Sequence, residues 1–437
     1  MRYDTLAANK PLRPALPERS VKRVGSVRIW HNSFMGTTSW LEWPTSLDVS
    51  SLLDGDWRPL PFREFIVKVH SRCDLSCDYC YMYEMADQSW RDQPRSMSPE
   101  TVQLTAWRIG EHARSHHLPD VTLILHGGEP LLAGRDLISR LVTATRRSAG
   151  PGTTVNAVVQ TNGVGLGDAY LGLFAELGVQ VGVSVDGDAD AHDRHRRFAS
   201  GRGSYPAVAA ALGRLQRFPH LYRGLLCTVD LRNDPVQTYA ALAGFAPPRI
   251  DFLLPHGTWS APPPGRVPDP ASTPYADWLI EVFEHWYPKP QTGIRLFEEI
   301  IQLLLGGASD SEVVGLAPAR MVVIETDGSV EQEDTLKIAF AGAPATGLHL
   351  KRDPLDAALL LPQIVARQIG ARALSGQCRA CPIHAVCGGG LYSHRYRAGT
   401  GFANPSVYCP DLMALIGHIR ERLRADLSAR RTRKATE

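Results

Sequence analysis

The chain has 437 residues, 44% hydrophobic and 21% charged, with a formal net charge of +2; this profile is that of a globular protein long enough for two domains or for a large barrel with an addition. Nothing in that balance calls for nucleic acid, and the basic run Arg430, Arg431, Arg433 and Lys434 reads as a solvated tail. No apolar run approaches the ~18 residues of a membrane span, and Met1-Arg2-Tyr3-Asp4 lacks the apolar core of a signal peptide, so a cytoplasmic protein with no membrane partner is expected.

Residues 1–61 show no strong periodicity and read as an N-terminal extension, with one or two short strands around Ser26–Trp30. Its tryptophans, Trp30, Trp40, Trp43 and Trp57, most simply pack it onto the body of the protein. A regular alternation begins at residue 63. Apolar, β-branched runs at Phe65–Val69, Val121–Leu125, Thr154–Val159, Val179–Val185, Leu221–Val229 and Ile250–Leu254 predict strands. Between them lie the helix-like segments Pro99–His112, Arg135–Arg147, Ala169–Leu177, Tyr205–Leu215 and Pro235–Gly244. The first opens with Ser98 as N-cap and Pro99 at the first helical position. Six strands alternating with helices make a parallel sheet of βα units, either doubly wound or barrel-shaped.

The residues at the strand ends separate the two. The first strand leads into Cys73-Asp74-Leu75-Ser76-Cys77-Asp78-Tyr79-Cys80, three thiols in C-x3-C-x2-C spacing. After the second comes His126-Gly127-Gly128-Glu129-Pro130, after the third Gln160-Thr161-Asn162-Gly163, and the fourth ends in Ser184-Val185-Asp186-Gly187. Polar and glycine-rich residues at the ends of consecutive strands are how a (β/α) barrel assembles one site. A GxGxxG fingerprint is absent from the first turn. Clustered cysteines in a reducing compartment point to metal, and three thiolates in one loop suit iron–sulfur or zinc. Either takes four ligands, so this set leaves one position open, for chemistry at the metal or for a distant His or Cys.

Beyond residue 260, the proline-rich stretch Ala261 to Pro270 reads as a linker. Helices are expected near Tyr275–Trp286 and Leu296–Leu305, and a hairpin over Met321–Val330 turning at Asp327-Gly328. A second cysteine set, Cys378, Cys381, Cys387 and Cys409, precedes a helix over Asp411–Leu427. Cys227, alone in an apolar run, reads as a small buried hydrophobe.

C-x3-C-x2-C, then GGEP, then Ser-x-Asp-Gly resembles the radical S-adenosylmethionine (radical SAM) superfamily. C-x2-C-x5-C with Cys409 resembles its SPASM extension, which carries auxiliary iron–sulfur clusters; the similarity covers about residues 62–412. The resemblance implies an α/β fold, a partial (β/α)6 TIM-like barrel of the radical SAM type over residues 62–260. A linker with helices would follow over 261–312, a SPASM-like iron–sulfur domain over 313–412, and a C-terminal helix with the basic tail over 413–437. It implies that Cys73, Cys77 and Cys80 hold three irons of a [4Fe–4S] cluster whose fourth iron is chelated by SAM, the source of a 5′-deoxyadenosyl radical. Gly127 and Gly128 would let the backbone approach the methionyl amine, and Glu129 would add negative charge there. Ser184 and Asp186 would bond the ribose, with Gln160 in the same cavity and Tyr79 near adenine. Arg194 and Arg196 would neutralise the SAM carboxylate or form surface salt bridges.

By the same resemblance, Cys378, Cys381, Cys387 and Cys409 would hold one auxiliary [4Fe–4S] cluster, with zinc as the alternative occupant. Leu391 and Glu333 stand where the full pattern has cysteines, so the inner auxiliary cluster is expected to be missing. In related sulfatase-maturing enzymes the aspartate after the second of these positions acts as a base. Asp334 matches it, and otherwise reads as a hairpin-end carboxylate bonded to backbone. FREFIVKVHSR (62–72) and GGGLYSHRY (388–396) are similar to the Fxs-type peptide maturases. Members of that subgroup join an aromatic ring to the β-carbon of a residue two positions away. This implies an oxidoreductase that builds a cyclophane in a ribosomally made precursor peptide, fed by a flavodoxin- or ferredoxin-type electron donor. Tyr392, His394, Arg395 and Tyr396 would contact peptide or cluster, or simply pack the extension. Formylglycine-generating or thioether-forming modification, and a non-catalytic metal-binding scaffold, are the competing readings. Trp30-His31-Asn32 is the sort of triplet such enzymes crosslink, which would make residues 1–60 a fused substrate, although such triplets arise often by chance.

Overall fold

Six parallel strands form where the apolar runs predict them: β1 Glu64–His70, β2 Asp120–Gly127, β3 Thr154–Thr161, β4 Val179–Ser184, β5 Tyr222–Thr228 and β6 Arg249–Leu253. This is a computed structural model, and it describes residues 42–269 and 271–436, with side chains through residue 429. The expected strands around Ser26–Trp30, Trp40 and the Trp30-His31-Asn32 triplet lie outside the described residues. Before β1 comes a short helix, α1 Val49–Asp54. Trp57 is buried against Val365, Ile369 and Ala373, as a packing role requires.

The strands pair in sequence order, each parallel to the next, and helices return the chain between them: α2 Pro99–Ser115, α3 Arg135–Ala149, α4 Asp168–Leu177, α5 Ala189–His195, α6 Tyr205–Leu215 and α7 Pro235–Ala243. Ser98 caps α2 as its sequence dictates, its hydroxyl accepting from Thr101 N at 3.0 Å. Helix α5 is not among the expected helices. Its seven residues have no apolar stripe, and Asp188 starts it by accepting from Ala191 N at 2.9 Å.

After the linker come α8 Pro274–Trp286, the two-residue strand β7 Gly293–Ile294 beside β6, and α9 Arg295–Leu304. The expected hairpin forms from β8 Met321–Ile324 and β9 Ser329–Glu331, with Gly328 at φ 97° in the turn. Its seat is the unexpected part. Strand β8 pairs in parallel with β1, Glu64 opposite Met321 through Val67 opposite Ile324, and β10 Ala345–His349 pairs antiparallel with β9. The sheet order is therefore β10-β9-β8-β1-β2-β3-β4-β5-β6-β7. This brings the residue after the hairpin, and its acidic neighbours, beside the strand that feeds the cysteine loop.

Short helices α10 Pro362–Val365, α11 Gly376–Arg379 and α12 His384–Cys387 carry the chain to the long α13 Cys409–Thr436, which packs on α8 and α9. One continuous apolar core joins the strands to this C-terminal part, from Phe62 and Val67 to Tyr408, Leu415 and Ile419. Cys227 is fully buried in it, as its sequence context predicts. Among the described residues, no helix is long and apolar enough to cross a membrane.

Candidate active site

A cavity of about 1220 Å3 takes wall residues from all six barrel strands and from the C-terminal part of the chain. Cys73, Cys77 and Cys80 line it. Their loop is fixed at several points: Ser76 N donates to Arg197 O (2.7 Å), Cys80 N to Cys77 O (3.1 Å), and Asn162 Nδ2 to Asp74 Oδ1 (2.7 Å). Leu75 N and Asn162 Nδ2 also point at Cys73 Sγ, at 3.4 and 3.6 Å, donors of the kind that tune sulfur ligands. Burial raises all three thiols, Cys80 to about 11, so a bound cation is what would hold them as thiolates.

Gly127 and Gly128 are required here for a reason the sequence does not give. A Cβ on Gly127 would lie 2.1 Å from His70 O, and one on Gly128 would lie 2.5 Å from Arg72 C and O and 1.8 Å from the Tyr83 hydroxyl. The missing side chains let the end of β2 press against the residues leading into Cys73, with Gly128 N donating to His70 O (2.9 Å) and Glu129 N to Arg72 O (3.0 Å).

The remaining predicted residues divide between the wall and the layer behind it. Tyr79, Gln160, Ser184 and Arg196 line the cavity together with the two glycines. Gln160 Nε2 donates to Ser184 Oγ at 3.0 Å. Arg196, buried rather than a surface ion pair, donates to the Tyr79 hydroxyl at 2.9 Å. Asp186 stands behind: one carboxylate oxygen accepts from the Tyr79 hydroxyl and the other from Thr228 N, so it orients a wall residue. Glu129 is also behind the wall, 1% exposed, with its carboxylate accepting from Leu131 N, Thr161 Oγ1 and Asn162 N. Burial pushes it up to about 7. Arg194 turns away to Asp230 and Asn233.

Asp334 lies behind the wall too, 4% exposed, with Oδ1 2.5 Å from Lys68 Nζ. Lys68 also meets Glu325 (2.6 Å) and Glu331 (3.5 Å), and Lys337 meets Asp87 (3.1 Å), Glu331 (3.2 Å) and Glu325 (3.5 Å). Burial raises Glu325, but Lys68 and Lys337 outweigh it and hold that carboxyl at about 2, while burial pushes Glu331 up to about 7. Between this network and the cavity stands His126, a wall residue whose Nδ1 is 3.7 Å from Asp334 Oδ2. Sequence reasoning places His126 in a motif and gives it no role; only the seating of the hairpin on β1 reveals its partner.

In the C-terminal part, Cys378, Cys381 and Cys387 are brought to Cys409 at the head of α13. Burial, and then each of the other three thiols, raises Cys409 to about 11, so the four lie within electrostatic reach of one another. Gly388, Gly389 and Gly390 follow at φ 61°, 82° and 69°, a left-handed run that only glycine makes cheaply. The loop closes on Arg395, whose guanidinium donates to Gly388 O (2.7 Å) and Gly390 O (2.6 Å). Tyr392 and Tyr396 pack on Phe402, whereas His394 reaches the cavity wall, 3.3 Å from His256. Glu333 is 3.0 Å from Arg367 Nη2, which also holds Glu312 at 2.6 Å, and Leu391 lines the cavity.

Both cysteine sets can be tested against a single ion. With Zn–S near 2.3 Å, tetrahedral sulfurs sit about 3.8 Å apart. Among the described residues, the His, Cys, Asp or Glu groups with ligand atoms all within 4.8 Å of one another are His112–His116–Asp356 and Glu325–Glu331–Asp334, and neither cysteine set is among them. In neither set do three sulfurs all lie within 4.8 Å of one another, a spacing that suits a multi-iron cluster better than one zinc ion.

Parts of the chain are similar to known proteins. Residues 67–220 match the Radical SAM superfamily. This segment is a radical SAM domain. It contains the three-cysteine loop, the GGEP turn and the wall residues Tyr79, Gln160, Ser184 and Arg196. The serine-type anaerobic sulfatase-maturating enzyme of Bacteroides thetaiotaomicron is 30% identical over 157 residues, 36% of this chain and 37% of that protein. The enzyme of the same description from Klebsiella aerogenes is 24% identical over 353 residues, 78% of this chain and 82% of that one. In fold, native anSMEcpe with bound AdoMet and Cp18Cys peptide superposes with a TM-score of 0.69 at 18% identity, over 84% of this chain and 99% of that one. The chain thus carries a radical SAM segment within a fold like that of native anSMEcpe, and the second cysteine set lies outside residues 67–220.

Proposed function

We propose that this radical SAM enzyme modifies a ribosomally made precursor peptide, forming a cyclophane C–C crosslink between an aromatic ring and a residue β-carbon. The observation that carries the peptide reading is the cavity: it is continuous from the three-cysteine loop to His394 and Leu391 in the extension, and large enough for SAM beside part of a peptide. A relative structure bound to AdoMet and a peptide supports the same class of substrate. The crosslink itself rests on the similarity of residues 62–72 and 388–396 to cyclophane-forming maturases.

In this reading Cys73, Cys77 and Cys80 hold a [4Fe–4S] cluster with SAM, and Cys378, Cys381, Cys387 and Cys409 hold one auxiliary [4Fe–4S] cluster. When bound, the first pair supplies a 5′-deoxyadenosyl radical that takes a β-hydrogen, and the second a one-electron acceptor. The chain's own residues do the rest. Ser184 and Gln160 hold the ribose, Tyr79, fixed by Asp186 and Arg196, borders the adenine, and Arg196 balances the SAM carboxylate. Glu129 acts through the strand ends it ties together. Asp334 belongs to the proton path. Reducing equivalents come from a flavodoxin- or ferredoxin-type donor.

Sulfatase-type oxidation to formylglycine is the second reading, supported by the maturases that align with most of the chain. Thioether formation and a non-catalytic metal scaffold are the others. Mass spectrometry of a precursor peptide encoded beside this protein separates them: a loss of about 2 Da with a new Cβ–aryl bond is expected. A formylglycine product, a thioether, or an unchanged peptide would each refute the crosslink.

A further inference from the structure

We propose that His126 is the residue that receives the proton leaving the substrate, and that Asp334 is the positioning residue behind it. This rests on the peptide-crosslinking reading and deepens it. His126 is the penultimate residue of β2 and lines the cavity, whereas Asp334 is not part of the cavity wall and is committed through Oδ1 to Lys68. A carboxylate that left Lys68 would take from a fully buried ammonium one of its two closest counterions, Glu325 being the other, which disfavours Asp334 as a mobile base.

The two nitrogens of His126 are unlike. Its side chain is 22% exposed, yet Nδ1 is buried, lacks a hydrogen-bond partner and lies 3.7 Å from Asp334 Oδ2, an atom equally unpaired. The proton of a neutral imidazole belongs on the nitrogen that faces a carboxylate, and a gap of this size closes readily when substrate fills the site. Nε2 is then the bare nitrogen, on a side chain that lines the cavity and is partly exposed although its Nδ1 is buried. Burial lowers His126 while Asp334 pulls the other way, so the ring rests neutral, in its basic form. Charges facing it are Asp334 after the hairpin, Lys68 on β1 and Glu325 on β8. In the network as a whole, two ammonium groups face Asp87, Glu325, Glu331 and Asp334, and even with Glu331 protonated the other three outnumber them, an excess of acid that favours an imidazolium once one forms.

The step balances. The β-carbon radical adds to the aromatic ring, and the adduct then loses one electron and one proton. The electron goes to an iron–sulfur centre of the class the four-cysteine set would hold; the proton, from the ring carbon, goes to Nε2 of His126. Aromaticity returns, and the imidazolium pairs with Asp334 before it releases the proton to solvent.

Two measurements on the full-length, cluster-loaded protein test this. Nitrogen NMR of histidine-labelled protein, assigned with the His126→Gln spectrum, should show a neutral ring protonated on Nδ1 at neutral pH, and Asp334→Asn should lose that preference. A wild-type ring protonated on Nε2, or a charged one, overturns the pairing. With precursor peptide, SAM and reductant, His126→Gln should keep releasing 5′-deoxyadenosine while crosslinked product per SAM cleaved falls about 100-fold or more. Asp334→Asn should move the acid limb of product formation to lower pH, because the ring loses the charge that raises its basicity, and Asp334→Glu should move it back. Full product from His126→Gln, with loss confined to Asp334→Asn, overturns the proposal. If the wild type cleaves SAM and leaves the peptide unchanged, the crosslinking reading fails instead, and the tautomer measurement still decides the pairing.

Discussion

Lys68 Nζ sits 2.5 Å from Asp334 Oδ1, and the pair joins β1 to the residue just past the β8–β9 hairpin with both side chains buried. Because Lys68 also meets Glu325 and Glu331, removing its ammonium leaves three buried carboxylates short of a cation. Lys68→Met should therefore destabilise the protein by about 3–5 kcal/mol, and adding Asp334→Asn should recover part of that loss. Chemical denaturation of the two single variants and the double variant checks this; strictly additive losses would contradict the coupling.

Glu129 gives a pH signature. Its folded value of about 7 stands above the ordinary 4.5, because burial disfavours the charged form. The folded chain thus holds this proton longer than the unfolded one. The stability it contributes is complete below pH 4.5 and is lost as pH rises through 7, by about 3 kcal/mol for a shift of this size. Glu129→Gln removes the titration, so the wild type should lose stability relative to the variant from about pH 5 to about pH 8. A difference independent of pH would contradict the assignment.

Ser184 and Asp186 are two residues apart and should behave differently. Ser184 is a wall residue whose hydroxyl accepts a hydrogen bond from Gln160, so Ser184→Ala should weaken SAM about 3–10-fold, the worth of one hydrogen bond, with only a small change in melting temperature. Asp186→Asn should lower both, since the Tyr79 hydroxyl and Thr228 N depend on that carboxylate. Equilibrium binding of SAM and thermal melts distinguish them, and equal effects from the two variants would count against the division between wall and supporting layer.

That division also marks the limit of what the sequence encodes legibly. The six barrel strands are legible because each is an uninterrupted β-branched run, and the α2 start because Ser98-Pro99 is a strong signal. The motifs place Cys73, Gly127, Gln160 and Ser184 around one cavity, since strand order alone brings their loops together. Whether a residue after a strand faces the cavity or the layer behind depends on local backbone rotation. Spacing does not encode that, so the resemblance carries Glu129, Asp186 and Asp334 over as site residues without saying which of them face the cavity. The pairing of β8 with β1 joins positions more than 250 residues apart through four-residue stretches, too short and too distant to be read from pattern. His126 gains its partner only through that pairing. Helix α5 lacks any apolar periodicity and leaves Asp188 as its one visible signal.

The pairing of Glu333 with Arg367 bears on cluster number. A carboxylate held by a buried guanidinium, with Leu391 on the nearby wall, is a poor set of ligands for an inner auxiliary cluster. Iron and sulfide analysis of anaerobically reconstituted protein should give about eight irons per chain, falling to about four in a variant with Cys378, Cys381, Cys387 and Cys409 all changed to Ala. About twelve irons in the wild type would contradict this account.

The most direct test concerns the loop on which the whole site is built. Reduced anaerobically with SAM, the wild-type enzyme should release 5′-deoxyadenosine. A variant with Cys73, Cys77 and Cys80 changed to Ala should release none while keeping the auxiliary cluster's roughly four irons. Undiminished 5′-deoxyadenosine from that variant, or none from an iron-loaded wild type, would contradict the assignment of Cys73, Cys77 and Cys80 as the site where SAM is cleaved.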